Sequence, residues 1–423
     1  MEGAPIRRSP YVVGLVFLIF FVISFLTNII GPLVPEIIDD FQLSLTLVAV
    51  LPFAFFIAYG VMSIPAGLLI ERFQEKPVMV AAFGVAFVGS LMLALFPNYL
   101  TAIGSLFLIG SGMAMLQVAI NPLLREAGGE EHFAFNATVA QLIFGAASFL
   151  SPLVYSYLVL NLERGSGDTN VLITTLSRVV PEALAWISLY WLFAGIALLM
   201  IGVVAISRVG KVERKADEQV GAFSTHLALL RNPTVLLFFL GIFAYVGLEQ
   251  GIANWMSEFL KTYHGYDPRT SGARAVAWFW GLMTLGGIAG IVLLKLLDSK
   301  IVLVLFTSAA ILSLSAALLG SGPVARLAFP LVGFFAAVMW PVVFSLALNS
   351  VAEHHGSFSG ILVTGIIGGA IVPLIVGGLG DVVGLRTGML FLYVALGYIL
   401  SIGFWAKPLI SNVTIQSRKK DGG

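Results

Sequence analysis

Long apolar runs separated by short polar segments dominate the chain. Since a strand of a transmembrane barrel would alternate polar and apolar residues over about ten positions, these uniformly apolar runs favour helices. The pattern predicts an all-α membrane protein with twelve transmembrane helices in two six-helix bundles. Each run fits the roughly 20 residues that cross a bilayer, and the runs fall near residues 11–34, 47–70, 78–96, 100–124, 134–159, 185–207, 235–259, 274–296, 301–318, 327–349, 358–379 and 387–406.

Composition agrees with a chain surrounded by lipid. Of the 423 residues, 59% are hydrophobic and 11% are charged, whereas soluble domains are about 25% charged. A net charge of +1 argues against a nucleic-acid partner held by charge. The chain has no cysteine, which excludes disulfides, thiolate metal sites and thiol catalysis.

The distribution of basic residues predicts the orientation. Most of the 23 Lys and Arg residues fall in the segments on the side of the N-terminus, so the positive-inside rule places both termini in the cytoplasm. We expect a multi-pass protein of the plasma membrane, the inner membrane of a bacterium. The predicted units are an N-terminal bundle over residues 1–207, a cytoplasmic linker over 208–231 and a C-terminal bundle over 232–423.

The two halves also resemble each other weakly. Glu131-His132 precedes the fifth run and Glu353-His354 precedes the eleventh, the equivalent position in the second half. Parallel six-helix repeats around a central cavity are an architecture of transporters. A chance similarity of loop residues is the alternative.

One acidic residue, Glu249, lies near the middle of the run over residues 235–259. A carboxylate at the centre of a span costs about 2.5–3.5 kcal/mol on insertion scales, so a polar partner, a water-filled cavity or a bound cation must offset that cost. A structural carboxyl bonded between helices is the alternative to a substrate or coupling-ion role. Gly241, Gly247 and Gly251 predict that this helix breaks easily, as transporter helices often do beside the substrate.

Neutral amides and indoles accompany this acid inside the apolar runs. Amides pair with sugar hydroxyls as both donors and acceptors, and the C–H face of a pyranose packs on an aromatic ring. No Lys or Arg lies deep in a run, which argues against an anionic substrate. Each amide alone is as compatible with helix packing, and the tryptophans with the interfacial belt. The candidate substrate-binding residues are Asn28, Gln117, Asn121, Gln141, Gln250, Asn254, Trp278 and Trp340.

Four stretches resemble the fucose–galactose–glucose symporter family of the major facilitator superfamily. They are Gln117–Pro122, Tyr245–Glu249, Trp340–Asn349 and Gly368–Gly377. The similarity extends over essentially the whole chain. It implies cation-coupled uptake of a monosaccharide by alternating access between two six-helix halves.

The sequence departs from the fucose permease branch of that family. That branch carries acidic residues in the first and fourth spans that are linked to proton coupling, whereas this chain has Asn28, Gly31 and Gln117 there. A carboxylate at the position of Glu249 does occur in glucose-type relatives. The resemblance therefore leaves Glu249 as the candidate coupling residue, with either H⁺ or Na⁺ as the ion.

These observations predict a symporter for a neutral hexose or deoxyhexose that functions as a monomer in lipid. The prediction includes no organic cofactor, no bound metal and no catalysis, since G-x-S-x-G, H-E-x-x-H and Walker motifs are absent from the sequence. A sugar uniporter, an exporter of amphipathic compounds and a membrane enzyme or sensor are the alternatives.

Overall fold

The computed structural model describes residues 9–129, 132–163, 170–210, 229–351 and 355–409. Twelve helices in these ranges are long and apolar enough to cross a membrane, as the hydropathy pattern predicts. Their bounds are α1 Pro10–Phe41, α2 Leu45–Phe73, α3 Glu75–Leu95, α4 Tyr99–Gly128, α5 Phe135–Leu162, α6 Ala183–Ile206, α7 Pro233–His264, α8 Pro268–Leu296, α9 Ser299–Leu319, α10 Gly322–Leu348, α11 Phe358–Val383 and α12 Leu385–Trp405.

Polar caps fix several of the helix ends. Ser44, Asn98, Asn232 and Asp298 each accept a hydrogen bond from a backbone N–H of the first turn that follows them. Such caps satisfy donors that the first turn of a helix leaves free. The same small polar residues end the apolar runs in the sequence, which is why the predicted and observed boundaries are close.

The first helix is longer than the prediction. It was expected to end near residue 34 with Glu36 beyond it, but it continues to Phe41. Glu36 is 8% exposed, because it lies between the two halves of the molecule. The apolar run therefore marks only the part of α1 that faces apolar surroundings.

The two halves use the same pairs of packed helices. In the first half, α4 packs on both α2 and α3, α3 packs on α6, and α1 packs on α5. In the second half, α10 packs on both α8 and α9, α9 packs on α12, and α7 packs on α11. This correspondence supports the repeat predicted from the loops. Glu131, Glu353 and His354, and residues 211–228 of the predicted linker, lie outside the described residues.

Backbone breaks occur in α1 rather than in α7. Helix α1 consists of Pro10–Thr27 and Ile30–Phe41, with two non-helical residues between them. Helix α7 is one continuous helix of 32 residues, so the prediction that its glycines break it is wrong. Those glycines instead let Ile402, Val372 and Leu392 pack closely on the helix, since a glycine removes the Cβ from the contact.

The halves meet at one end of the molecule and separate at the other. Helices α2 and α11 touch where Gly377 lies on the Leu45 carbonyl and where Gly369 lies near Phe56. Further along, the part of α11 before Gly365 makes no extended contact with α2 among the described residues. We call the first end the paired end and the second the open end. The space between the separated halves is called the vestibule.

Candidate functional site

Two ion pairs join the halves at the paired end. Arg269, at the start of α8, donates from Nε and Nη2 to the two carboxylate oxygens of Glu36 in α1, over 2.7 and 2.9 Å. Lys261 of α7 donates to both oxygens of Asp39 in α1, over 2.8 and 2.7 Å. Because both pairs connect α1 with the second half, they hold this end of the molecule closed.

A third contact at the paired end is a helix cap between the halves. Asp381, near the end of α11, accepts hydrogen bonds of 2.8 Å from the backbone N–H groups of Leu45 and Thr46. It also accepts from the Thr46 hydroxyl. The first turn of α2 is thus capped by a carboxylate from the other half, an arrangement that the helix dipole favours.

A close crossing of α1 and α7 seals the vestibule from the paired end. Gly31 lies directly on the carbonyl of Ala253, and a Cβ at residue 31 would overlap that oxygen. Gly31 follows the break in α1 at Asn28. The break and the missing side chain together let the two backbones touch, so that water from the paired end does not reach the vestibule here.

Glu249 lies one helical turn from this seal, at the closed end of the vestibule. Its side chain is partly exposed. One carboxylate oxygen accepts from the Tyr245 hydroxyl at 2.5 Å, and the other accepts from Nε2 of Gln250 at 3.1 Å. Both donors belong to α7, and among the described residues no hydrogen bond joins the carboxylate to the first half.

An aromatic row leads from this carboxylate along α10. The ring centroid of Trp340 is 5.9 Å from that of Tyr245, and Phe344 stacks on Trp340 at 6.0 Å and 18°. Trp340 is partly exposed. The predicted role of Trp340 as a sugar-stacking residue fits this placement, because its neighbour Tyr245 bonds Glu249 directly.

Three of the predicted amides, all in the first half, are not buried. Asn121 of α4 and Gln141 of α5 are exposed, and Gln117 is partly exposed one turn from Asn121. None of the three bonds to another of the described residues. Because polar groups within a span avoid lipid, we assign these amides to the vestibule wall, where their donors and acceptors can pair with a solute.

Asn28 has a different environment from these amides. Its Nδ2 donates to the Ser148 hydroxyl at 2.8 Å, and Ser148 lies 2.6 Å from the Ser24 hydroxyl. Asn28 is 6% exposed. Because this network connects α1 with α5 inside one half, the structure places Asn28 in helix packing rather than on the vestibule wall.

Gln250 and Asn254 are also buried, at 5% and 3% exposure. Gln250 bonds Glu249 and packs against Gly369 of α11. Asn254 lies beyond the seal, toward the paired end, next to Gly31. Gln250 therefore positions Glu249, and Asn254 does not reach the vestibule while the paired end is closed.

Trp278 lies away from this group. Its side chain is 51% exposed, and Leu285, Ile288 and Val292 on the same stripe of α8 are 45–56% exposed. A stripe of exposed apolar side chains faces lipid in a membrane protein. Trp278 contacts Phe149 of α5, with ring centroids 5.3 Å apart, and the structure does not support its predicted place in the substrate site.

The site also contains residues that the sequence reasoning did not select. Tyr245 is the principal one, and its spacing of i−4 from Glu249 was a usable signal, since such residues share a helix face. The partners Glu36–Arg269 and Asp39–Lys261 carried no such signal, because each pair joins residues more than 200 positions apart.

The sequence is similar to a known protein family and to individual proteins of known type. Residues 16–371 match the family described as Major Facilitator Superfamily. A glucose/galactose transporter of Brucella abortus biovar 1 (strain 9-941) is 30% identical over 392 residues, which cover 91% of this chain and 92% of the relative. The L-fucose-proton symporter of Escherichia coli (strain K12) is 24% identical over 386 residues, 86% of each chain.

Solved structures share the fold. FucP, a transporter solved in the outward conformation, has a TM-score of 0.67 and 21% identity, covering 95% of this chain and 100% of that chain. A bacterial homologue of the human lysosomal transporter Spinster, solved in an inward-facing and occupied conformation, has a TM-score of 0.77 at 15% identity, covering 94% and 96%. These similarities confirm the predicted fold class of two six-helix bundles.

Proposed function

The chain belongs to the Major Facilitator Superfamily, and on that premise we propose that it imports a neutral hexose or deoxyhexose by cation-coupled alternating access. Family membership makes it a multi-pass membrane transporter and not an enzyme. It also confirms the predicted resemblance to the fucose–galactose–glucose symporters. The substrate, the coupling ion and the direction of transport are the content of the proposal.

The observation that carries the proposal is the position of Glu249. It is a membrane-embedded carboxylate at the closed end of a vestibule, one turn from the seal between Gly31 and Ala253. An ionisable group inside a span is costly unless a function retains it. A cation bound here would meet a solute bound in the same vestibule, which is the requirement for coupling their movements.

The chemistry of the vestibule wall supports a neutral sugar. Gln117, Asn121 and Gln141 offer amide donors and acceptors that have no partner in the described part of the chain, and Trp340 offers an aromatic face. A polyhydroxylated ring uses both kinds of contact. The relatives named for glucose, galactose and fucose support the same class of substrate.

The contacts between the halves support a transport cycle in which the two ends open in turn. In this structure the paired end is closed by Glu36–Arg269, Asp39–Lys261 and the Asp381 cap, while α2 and α11 separate at the other end. With the termini in the cytoplasm of a bacterium, the vestibule opens inward and the paired end faces outward. Each chain contains both halves of the vestibule, so a monomer in lipid suffices.

The coupling step at Glu249 follows from its hydrogen bonds. Tyr245 and Gln250 both donate to the carboxylate, and donated bonds favour its charged form. A bound H⁺ neutralises this charge, and a bound Na⁺ compensates it. Either cation lowers the cost of closing apolar surfaces over the site, which is how cation binding would permit the loaded protein to change conformation.

Reconstitution in proteoliposomes tests the proposal. We expect counterflow of a labelled hexose or deoxyhexose and concentrative uptake driven by a pH or Na⁺ gradient. Glu249→Gln should retain counterflow and lose concentrative uptake under both gradients. Full concentrative uptake by this variant at every pH and Na⁺ concentration would reject the coupling role. Counterflow of lipophilic cations in place of sugars would reject the substrate class.

A further inference from the structure

A buried polar stripe continues along α7 beyond the seal, from the level of Glu249 to the paired end. Gln250, Asn254, Ser257 and Glu258 are spaced i, i+4, i+7 and i+8 and so share one helix face. They are 5%, 3%, 0% and 6% exposed. The described mechanism uses Gln250 at one end of this stripe and leaves the other three without a role.

Several atoms of this stripe lack partners. Among the described residues, Nδ2 of Asn254, Oγ of Ser257 and Oε2 of Glu258 are buried with no hydrogen-bond partner. The other carboxylate oxygen of Glu258 accepts from the Thr262 hydroxyl at 2.6 Å. Leaving a buried polar group without a hydrogen bond destabilises the folded protein. Three such atoms on one face indicate a surface that is wet in another conformation.

Only part of this stripe is covered by the other half. Gly31 of α1 lies against Asn254, whereas Gln250 packs on Gly369 and Ser257 on Gly272 within the second half. The segment Ile30–Phe41 of α1 packs against α7 and carries Glu36 and Asp39, whose ion pairs close the paired end. When these pairs open, water reaches the stripe as far as Gln250, which donates to Glu249.

We propose that Glu258 is a second proton-binding carboxyl, an outer station on the path by which protons from the paired end reach Glu249. The proposal rests on the proposed cation-coupled transport and specifies H⁺ as the ion. In the opened state, hydronium transfers a proton to Oε2 of Glu258 and leaves as water, and the carboxylate becomes a neutral acid. Glu249 is nine residues away, about 13.5 Å along the helix and about 180° around it, so the onward transfer passes through water along the opened stripe to Gln250 and from there around the helix to the carboxylate.

The ligands around Glu258 fit a proton better than a metal cation. The Nζ atom of Lys261 lies 3.9 Å from Oε2, and an ammonium at that distance opposes any added positive charge, a metal ion and a proton alike. From α1, Asp39 faces the same region but is neutralised by Lys261. From the start of α8, Arg269 is held by Glu36. A proton binds to a single oxygen and needs no coordination shell, and Oε2 of Glu258 is such an oxygen.

Labelling of the wild-type protein tests the proposal without altering the fold. Dicyclohexylcarbodiimide reacts with protonated carboxyls in apolar surroundings, and mass spectrometry locates the adduct. We expect an adduct on Glu258 whose yield falls as the pH rises, and no adduct on Glu36, a matched buried carboxylate with two Arg269 bonds. Absence of the Glu258 adduct at every pH, while Glu249 is labelled, would overturn the proposal.

A variant separates this proposal from the proposed function. Glu258→Gln should keep sugar counterflow within about twofold and lose at least fivefold in uptake driven by acid on the paired side, whereas Glu258→Asp should keep most of it. Wild-type proton-driven uptake in Glu258→Gln, together with loss of coupling in Glu249→Gln, would refute the outer station alone. Normal coupling in Glu249→Gln would refute the proposed function whatever Glu258 does.

Discussion

Arg269 and Glu36 form a two-bond ion pair between residues that are 233 positions apart in the chain and belong to different halves. The pair is partly enclosed, with side-chain exposures of 34% for Arg269 and 10% for Glu36. Such planar, two-bond pairs are stronger than single contacts. The Arg269–Glu36 pair therefore stabilises the state in which the paired end is closed relative to the state in which it is open.

Replacing Arg269 should shift that balance. Loss of about 1 kcal/mol from the closed state corresponds to about a fivefold change in population. In Arg269→Met we expect at least fivefold faster labelling of a cysteine introduced at Ala49, which is buried against Gly377 of the other half, by an impermeant maleimide added on the paired side. The chain has no native cysteine, so the label reports this position alone.

The matched control for this experiment is Arg326→Met. The guanidinium of Arg326 lies 5.5 Å from the ring of Tyr266 within the second half, so its loss breaks no contact between halves. Equal labelling rates for Arg269→Met and Arg326→Met would show that the ion pair does not hold the paired end closed.

Gly31→Ala should prevent closure of the seal between α1 and α7. The added Cβ would overlap the Ala253 carbonyl oxygen, and backbone atoms cannot move aside as a flexible side chain does. We expect transport to fall at least tenfold while the protein still inserts and binds sugar from the paired side. Gly60→Ala is the control, since a Cβ there has nothing within 4 Å; equal activity of the two variants would contradict the seal.

Tyr245→Phe should change the pH dependence of uptake. The Tyr245 hydroxyl donates one of the two hydrogen bonds that the Glu249 carboxylate accepts, and a hydrogen bond to a charged group contributes about 1.5–3 kcal/mol. The pH profile of uptake in the variant should therefore differ from that of the wild type, with sugar affinity at acid pH within about threefold. An unchanged profile would show that the hydroxyl does not act on the coupling step.

The amides should divide into two groups by experiment. Asn121→Ala and Gln141→Ala remove donors and acceptors that face the vestibule and should raise the KM for sugar about tenfold, with little change in thermal stability. Asn28→Ala removes the bond from Asn28 of α1 to Ser148 of α5 and should lower the Tm of the detergent-solubilised protein by several degrees.

Trp278→Ala should change neither sugar affinity nor coupling. A loss of sugar affinity in that variant would show that Trp278 belongs to the substrate site.

Hydropathy was sufficient to predict the spans because lipid requires each of them to be a long, internally bonded helix. The position of Glu249 was predictable for the same reason, since a charged residue in an apolar run stands out. Gln117 and Asn121 were predictable from their residue type, their i, i+4 spacing and the resemblance of Gln117–Pro122 to the symporter family, and Gln141 from its residue type. Which of the chosen amides face the vestibule depends on helix rotation, which a uniformly apolar run does not encode.

The features that the sequence did not predict correctly all depend on contacts between helices, which local sequence pattern does not determine. The glycines of α7 were interpreted as breaks, but a glycine inside a bundle serves close packing equally well, and the contacts of Gly247 and Gly251 are of this kind. The break in α1 at Asn28 has no glycine or proline at the break itself, since Gly31 and Pro32 follow it. Contacts between halves, such as Asp381 with Thr46, depend on tertiary arrangement that local pattern does not determine.

The exposure of the second ion pair makes the orientation of the empty carrier sensitive to the medium on one side of the membrane. Asp39 is 62% exposed and Lys261 is 28% exposed, so dissolved electrolyte in that compartment screens their attraction. Raising the ionic strength on the paired side should thus retain more empty carriers with that end open, ready to load. Transport capacity would then follow the salinity on that side before any change in gene expression.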